Sequence, residues 1–191
     1  MNVPTVITPP AAEPITLPEA KAHLRVIGTD DDTQIELMIT AARQSAEEYL
    51  QRALMPQTLE IVLDDFGAPV QLPWPPFAEL MSVAYTDADG APATVAVGDM
   101  IADYRSGLCV LRPVSGTQWP RLQTNSQVAI QYKAGYLDAA GVPSPIKAWM
   151  LLLIGTLYEN RESVVVGTGI NAADLPGGIW DRLVQPYRVY L

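Results

Sequence analysis

The sequence predicts an α+β fold: an antiparallel helical core from the N- and C-terminal parts, with a β-rich insertion between them. Three observations carry this. Apolar residues recur at three- and four-residue steps between Ile35 and Ala53. Residues 57–135 then switch to alternating strands and turn signals. Finally a wholly apolar segment, Ala148–Ile154, precedes the polar run Glu159-Asn160-Arg161-Glu162.

With 191 residues, 49% of them hydrophobic, the chain suffices for one packed domain, or one domain carrying an inserted lobe. Residues 1–14, rich in Pro, Thr and Ala, read as a flexible N-terminal arm. Residues 15–185 read as a single domain, with helices within 16–54 and 144–185 and the β-rich insertion at 57–135. Residues 186–191 form a C-terminal tail.

Each element has a local reason. Thr16-Leu17-Pro18-Glu19 has capping-box spacing, so a short helix should run through Arg25 and stop near Gly28. Asp30-Asp31-Asp32 resembles a metal cluster, but an acidic run just before a helix complements the positive end of the helix dipole, and capping is the reading adopted. The next helix, from about Asp32 to Ala53, places Ile35, Met38, Ile39, Ala42, Ala46, Tyr49, Leu50 and Ala53 on one stripe. Arg43, Gln44, Glu47, Glu48 and Gln51 fall on the other side. Met55-Pro56 ends it.

In the insertion, Thr58–Leu63 alternates in part, as a half-buried strand does. Leu72-Pro73-Trp74-Pro75-Pro76-Phe77 reads as a rigid extended connector rather than a ligand for SH3-type domains. Leu80–Thr86 is a strand, and Asp87-Ala88-Asp89-Gly90 its hairpin turn. That turn mimics the start of a calcium loop but lacks the glutamate at the twelfth position and the flanking helices. Met100–Tyr104 and Leu108–Leu111 flank the hairpin signal Ser106-Gly107, and Gln127–Tyr132 alternates cleanly.

The helix opening at Ser144-Pro145 has Ser as its N-cap and Pro at its first position, and its apolar half should be buried on most sides. It is shorter than the roughly 20 apolar residues that span a bilayer, so no membrane segment is expected. A loop from Ser163 to Gly169 follows. Leu175–Val184 then reads as a loop running into a short helix.

The chemistry of catalysis is missing. With one histidine, His23, and one cysteine, Cys109, there is no Cys–His pair at workable spacing, no zinc set and no internal disulfide. Gly167-Thr168-Gly169 lacks the strand and the lysine of a phosphate loop, and no Gly-x-Ser-x-Gly elbow occurs. No cofactor, metal site or enzymatic activity is expected. The formal net charge of −9 argues against a DNA- or membrane-binding surface. The N-terminus has neither the basic region nor the apolar core of a signal peptide, so a cytoplasmic origin is expected.

What remains is an interaction surface. Pro186-Tyr187-Arg188-Val189-Tyr190-Leu191 carries two tyrosines and an arginine, residue types that concentrate interface energy. Two readings stand: the tail lies along a partner, or it folds back on its own core.

Several segments in order carry a family resemblance: Thr16–Val26; Ala46-Glu47-Glu48-Tyr49-Leu50-Gln51-Arg52-Ala53-Leu54; Lys133-Ala134-Gly135-Tyr136; Val142–Lys147; and Leu157-Tyr158-Glu159-Asn160-Arg161-Glu162. Together they resemble the head–tail connector (adaptor, or head-completion) proteins of tailed bacteriophages and phage-like gene transfer agents, over about residues 15–191. The resemblance implies a structural protein of the virion neck, made in the host bacterial cytoplasm. It implies a homo-oligomeric ring, commonly of twelve subunits, under the portal protein, joining the capsid to the stopper or tail-terminator protein and continuing the DNA channel. DNA then passes through the lumen without specific binding, which suits an acidic chain. It also implies that C-terminal segments reach into the portal, so residues 186–191 are candidate portal contacts, and the loop Val164-Val165-Val166-Gly167 is a candidate assembly contact. The long β insertion departs from the shorter, nearly all-helical relatives and is expected on the outer or tail-facing part of the ring. Two alternatives stay open: another neck or tail-completion component, and a DNA-packaging-associated binding protein.

Overall fold

The computed structural model describes residues 3–67, 70–105, 108–160 and 181–190. In chain order these form β1 (Thr5–Thr8), α1 (Leu17–Leu24), α2 (Asp32–Leu50), β2 (Gln57–Leu63), β3 (Val70–Leu72), β4 (Phe77–Thr86) and β5 (Pro92–Val95). There follow β6 (Met100–Arg105), β7 (Leu108–Pro113), β8 (Val128–Ala134), α3 (Ser144–Glu159) and α4 (Asp181–Val184). The expected α+β class is what the structure has. The chain divides into two compact units. One holds the strands, in Met1–Ala11, Gln51–Tyr136 and the last residues from Val189; the other holds the helices, in Ala12–Leu50 and Leu137–Arg188.

The helical unit starts as its sequence dictates. The Thr16 backbone N–H and hydroxyl both donate to Glu19 Oε2 at 2.7 Å, and the Glu19 N–H donates back to Thr16 Oγ1 at 3.3 Å. These bonds, the backbone one foremost, hold the Glu19 carboxyl below its usual range. The helix stops before Gly28, at Arg25, which takes the left-handed conformation (φ 58°) and donates its N–H to Ala22.

In α2, Ile35, Met38, Ile39, Ala42, Ala46 and Leu50 are buried, as the stripe requires. Two residues assigned to its polar face are buried as well. Arg43 Nε donates to Glu13 Oε2 at 2.7 Å, Arg43 Nη1 donates to Glu47 Oε2 at 2.6 Å, and Thr40 donates to the other Glu13 oxygen at 3.1 Å. Position 43 lies one residue past Ala42 and position 47 one past Ala46, so a wide apolar face carries both inward, where they are tolerable only as a pair.

The helix ends at Leu50, three residues before its expected limit, because Gln51 turns to positive φ (53°). Ala53 then joins the β core instead. Two of the aspartates at the start of α2 tie it to other elements of the helical unit. Tyr158 donates its hydroxyl to Asp31 at 2.6 Å, and Lys21 pairs with Asp32 at 2.5 Å.

Helix α3 is capped by Pro143, without a side-chain bond, so Ser144 is its first helical residue rather than its cap. It buries Ile146, Trp149, Met150, Leu153 and Ile154. It packs on α2, α1 and α4, and among the described residues Leu151, Leu152 and Leu157 stay half-buried. Apolarity all round therefore does not enclose it. Three neighbouring helices cover a stripe, not a cylinder.

The strand unit holds two antiparallel sheets, ordered β1-β2-β8-β4-β5 and β3-β7-β6. Residues read as a flexible arm form β1, which pairs with β2 through Thr5↔Glu60 and Val6↔Leu59. The pairing is non-local, which is why the local composition hides it. The expected hairpins are present. Asp87 Oδ1 accepts from the N–H groups of Asp89 and Ala91 at 3.0 and 2.8 Å, and Arg105 faces Leu108 in register.

Residues 73–76 connect β3 to β4 and run buried rather than along the surface: Pro73, Trp74 and Pro75 are inside. Three of their carbonyls accept bonds, Pro73 from the Tyr132 hydroxyl (2.6 Å), Pro75 from Ala53 N–H (3.1 Å) and Pro76 from Gly135 N–H (2.8 Å). Burial removes this proline-rich segment as a peptide ligand.

Two predictions follow from this packing. At Gly135 (φ 117°) an added Cβ would stand 2.1 Å from the Met55 carbonyl oxygen, whereas at Gly98 it meets nothing within 4 Å. Gly135→Ala is expected to lower unfolding free energy by about 3 kcal/mol or more, and Gly98→Ala to change it by less than about 0.5 kcal/mol, in guanidinium titrations. Arg43→Leu strands two carboxylates and is expected to cost about 3–5 kcal/mol, with Arg43→Leu/Glu47→Leu recovering part of the loss in the same assay.

Candidate interaction surfaces

The described residues contain no group of three or more His, Cys, Asp and Glu side chains able to hold a metal ion. His23 is exposed on α1. Cys109 is buried in β7, and burial, with Asp103 adding to it, pushes its thiol up to about 11, which disfavours the thiolate at neutral pH. An open cleft of about 400 Å³ is lined by Tyr85, Val95, Asp99, Met100 and Trp119 among others. Its lining offers one carboxylate, Asp99, with the hydroxyls of Tyr85, Thr94 and Thr117 and no His, Lys or Cys. None of the described helices is long and apolar enough to cross a membrane.

The tail is partly placed. After α4, residues Gln185–Tyr187 make a 3-10 turn rather than an extended strand, since Pro186 presets the helical φ, and Arg188 then turns extended. The Arg188 guanidinium lies 4.9 Å from the centroid of the Tyr49 ring, and Tyr49 stacks on Trp149 with centroids 6.0 Å apart and planes 15° apart. The root of the tail is thus latched onto α2 and α3 of the helical unit by a cation–π contact. Of the two readings of the tail, folding back describes Arg188. Tyr190 is 69% exposed. Leu191 and the loop Val164-Val165-Val166-Gly167 lie outside the described residues.

The Arg188–Tyr49–Trp149 stack was not legible in the sequence. Its signal was an aromatic residue at the end of one apolar helix and another near the start of the next, with an arginine in the tail.

Within the strand unit, β2 and β4 each pair antiparallel with β8 and so end on the same side of the sheet. Asp64, Asp65, Asp87 and Asp89 gather there, with Phe66 stacked on Trp119 (4.6 Å) and edge-on to Tyr85 (5.7 Å). Arg121, beside the Asp87–Leu122 bridge, is a basic residue at that end. This end of the unit is net acidic, with an aromatic floor.

The resemblance drawn from the sequence is borne out by comparison with known proteins. Residues 14–71 match the family described as "Phage gp6-like head-tail connector protein". No curated protein matches. The fold matches a chain in the neck of an empty gene transfer agent particle computed with C6 symmetry, with a TM-score of 0.79 and 20% identity over 98% of this chain and 96% of that one. It likewise matches a chain in the virion of a native gene transfer agent particle (TM-score 0.78, 20% identity, 98% and 96% covered). A third match is to a chain in the neck of a native particle computed with C12 symmetry (0.73, 21%, 100% and 96%). The β insertion, in which the sequence departs from short connectors, is therefore part of a fold shared along nearly the whole chain.

If the latch holds the tail root, Arg188→Ala is expected to loosen it by about 0.5–1 kcal/mol. The check is hydrogen exchange and limited proteolysis of the full chain, where residues from Asp181 onward should exchange several-fold faster with α2 and α3 unaffected.

Proposed function

We propose that this chain is a structural, non-enzymatic adaptor in the neck of a phage-like particle. Copies of it form a ring under the portal, which joins the capsid to the stopper or tail and continues the DNA channel. The observation that carries the reading is a coincidence of two independent matches. The connector-family match lies on residues 14–71, which include the capping-box helix, α2 and β2. The fold match to neck proteins extends over 98% of the chain.

The remaining features fit a ring. A net charge of −9 suits a lumen that DNA must traverse without adhering. Twelve is the expected subunit number. Residues Pro186–Leu191 are the proposed portal contacts, with exposed Tyr190 as the anchor and Arg188 leaving Tyr49 to follow it. Loop Val164–Gly167 is the proposed contact to neighbours.

The test is to add purified chain to isolated portal and image the mixture by electron microscopy. A ring on one face of the portal is expected, lost or weakened at least tenfold by deletion of Pro186–Leu191. A gel shift with double-stranded DNA at physiological salt should be negative. Absence of a ring on portal, or tight DNA binding, overturns the adaptor reading.

A further inference from the structure

The five-stranded sheet ends in two strands of like construction. Strands β1 and β5 have four residues each, TVIT and PATV, and neither carries a charge. The uncharged stretch extends from Met1 to Ala12 around β1 and from Gly90 to Gly98 around β5. Among the described residues each pairs along one edge only, β1 with β2 and β5 with β4. The side chains of β1 are exposed throughout, Val6 at 42% and Ile7 at 46%. A sheet that works alone guards such edges with lysine, inward-pointing charge or a covering segment. Pro92, at the first position of β5, is a guard of this kind, and it leaves Ala93, Thr94 and Val95 beyond it.

We propose that β1 of one copy pairs with β5 of the next, in parallel, so that neighbouring sheets join edge to edge around the ring. This rests on the ring reading above. A closed ring needs two different surfaces on opposite sides of each subunit, each complementary to the other. The two edges of one sheet are such a pair. They are equal in length and both neutral, so neither repels the other. Every pairing between them is antiparallel, β1 to β2, β2 to β8, β8 to β4 and β4 to β5, so β1 and β5 run in the same direction. A rotation axis along the strands therefore brings β1 alongside the next copy's β5 in parallel. A two-fold dimer would instead join β1 to β1, antiparallel. With no charge on either edge, nothing calls for an unlike partner. Another copy of the same edge chemistry is what fits.

The experiment uses the full chain assembled on isolated portal, with Ile7→Cys on β1, Thr94→Cys on β5 and a short bis-maleimide; buried Cys109 stays out of the reaction. The double variant should give a ladder of covalent oligomers, a mixture of the two single variants should give dimers, and each single variant alone should give monomer. Ile7→Lys and Thr94→Lys should each reduce the ring fraction at least tenfold while leaving the monomer's circular dichroism and unfolding midpoint unchanged. Rings without a ladder, with both lysine variants assembling normally, overturn edge pairing and leave the ring reading standing. Dimers from Ile7→Cys alone overturn it in favour of two-fold pairing. Failure of the unmodified chain to form rings, alone or on portal, removes the ring reading and the edge pairing together.

Discussion

The strand unit depends on a buried strap of prolines. Residues 73–76 run inside, and because Pro73, Pro75 and Pro76 have no N–H, they bring carbonyls into the interior without bringing donors. Each of those carbonyls is met: by the Tyr132 hydroxyl in the core, by Ala53 where the chain comes into the unit, and by Gly135 where it leaves. Each bond is worth only about 1 kcal/mol net, but leaving such an oxygen buried and unmet costs about 1–3 kcal/mol. The same strap therefore fixes both ends of the β insertion. The register Gln57↔Ala134 and the contact of Gly135 with the Met55 carbonyl follow from that closure. Tyr132, wholly enclosed, has its hydroxyl pushed well above its ordinary range by burial, which favours the protonated form that donates to Pro73.

What the sequence made legible was local. The capping box at Thr16, the Asp87 turn, the β6–β7 hairpin and the alternation of β8 each rest on residues within a few positions of one another, and each is in the structure. The features that escaped depend on distant partners. β1 looked like a loose arm because its partner, β2, lies some fifty residues on. Arg43 and Glu47 looked like a solvent face because their polarity said nothing of Glu13, thirty residues earlier. The proline strap looked like a linker because the groups that bond its carbonyls come from Ala53, Tyr132 and Gly135. As for the candidate surfaces, the tail stood out in the sequence as aromatic and basic, yet its 3-10 turn and the stacking of Arg188 on Tyr49 need the helices folded first.

The distribution of charge fits a scaffold more than a reaction centre. The buried carboxylate Glu47 is held by Arg43, and exposed carboxylates are spread over helix surface, strand and turn, as at Glu48, Glu79 and Asp89. Chemistry needs a carboxylate whose environment sets it apart from its neighbours. Glu19 is displaced, but downward and by its own capping partner, which is what a structural role produces. An interaction protein instead needs stable units that present edges and ends, and here two sheet edges, the half-buried outer leucines of α3 and an exposed terminal tyrosine are what the described residues present.

The shortness of those edges bears on when assembly happens. Four-residue strands form a handful of interstrand hydrogen bonds, each worth about 0.5–1.5 kcal/mol net. Association of two free proteins costs at least about 4 kcal/mol in lost translation and rotation before side-chain ordering is counted. Edge pairing alone is then close to break-even, and free copies have little reason to join. Copies held side by side by their tails, as in the proposed docking on portal, would have lost that freedom beforehand, and the same few bonds would act at high effective concentration. In the proposed edge pairing, so weak an edge would close a ring only where a template holds the copies together.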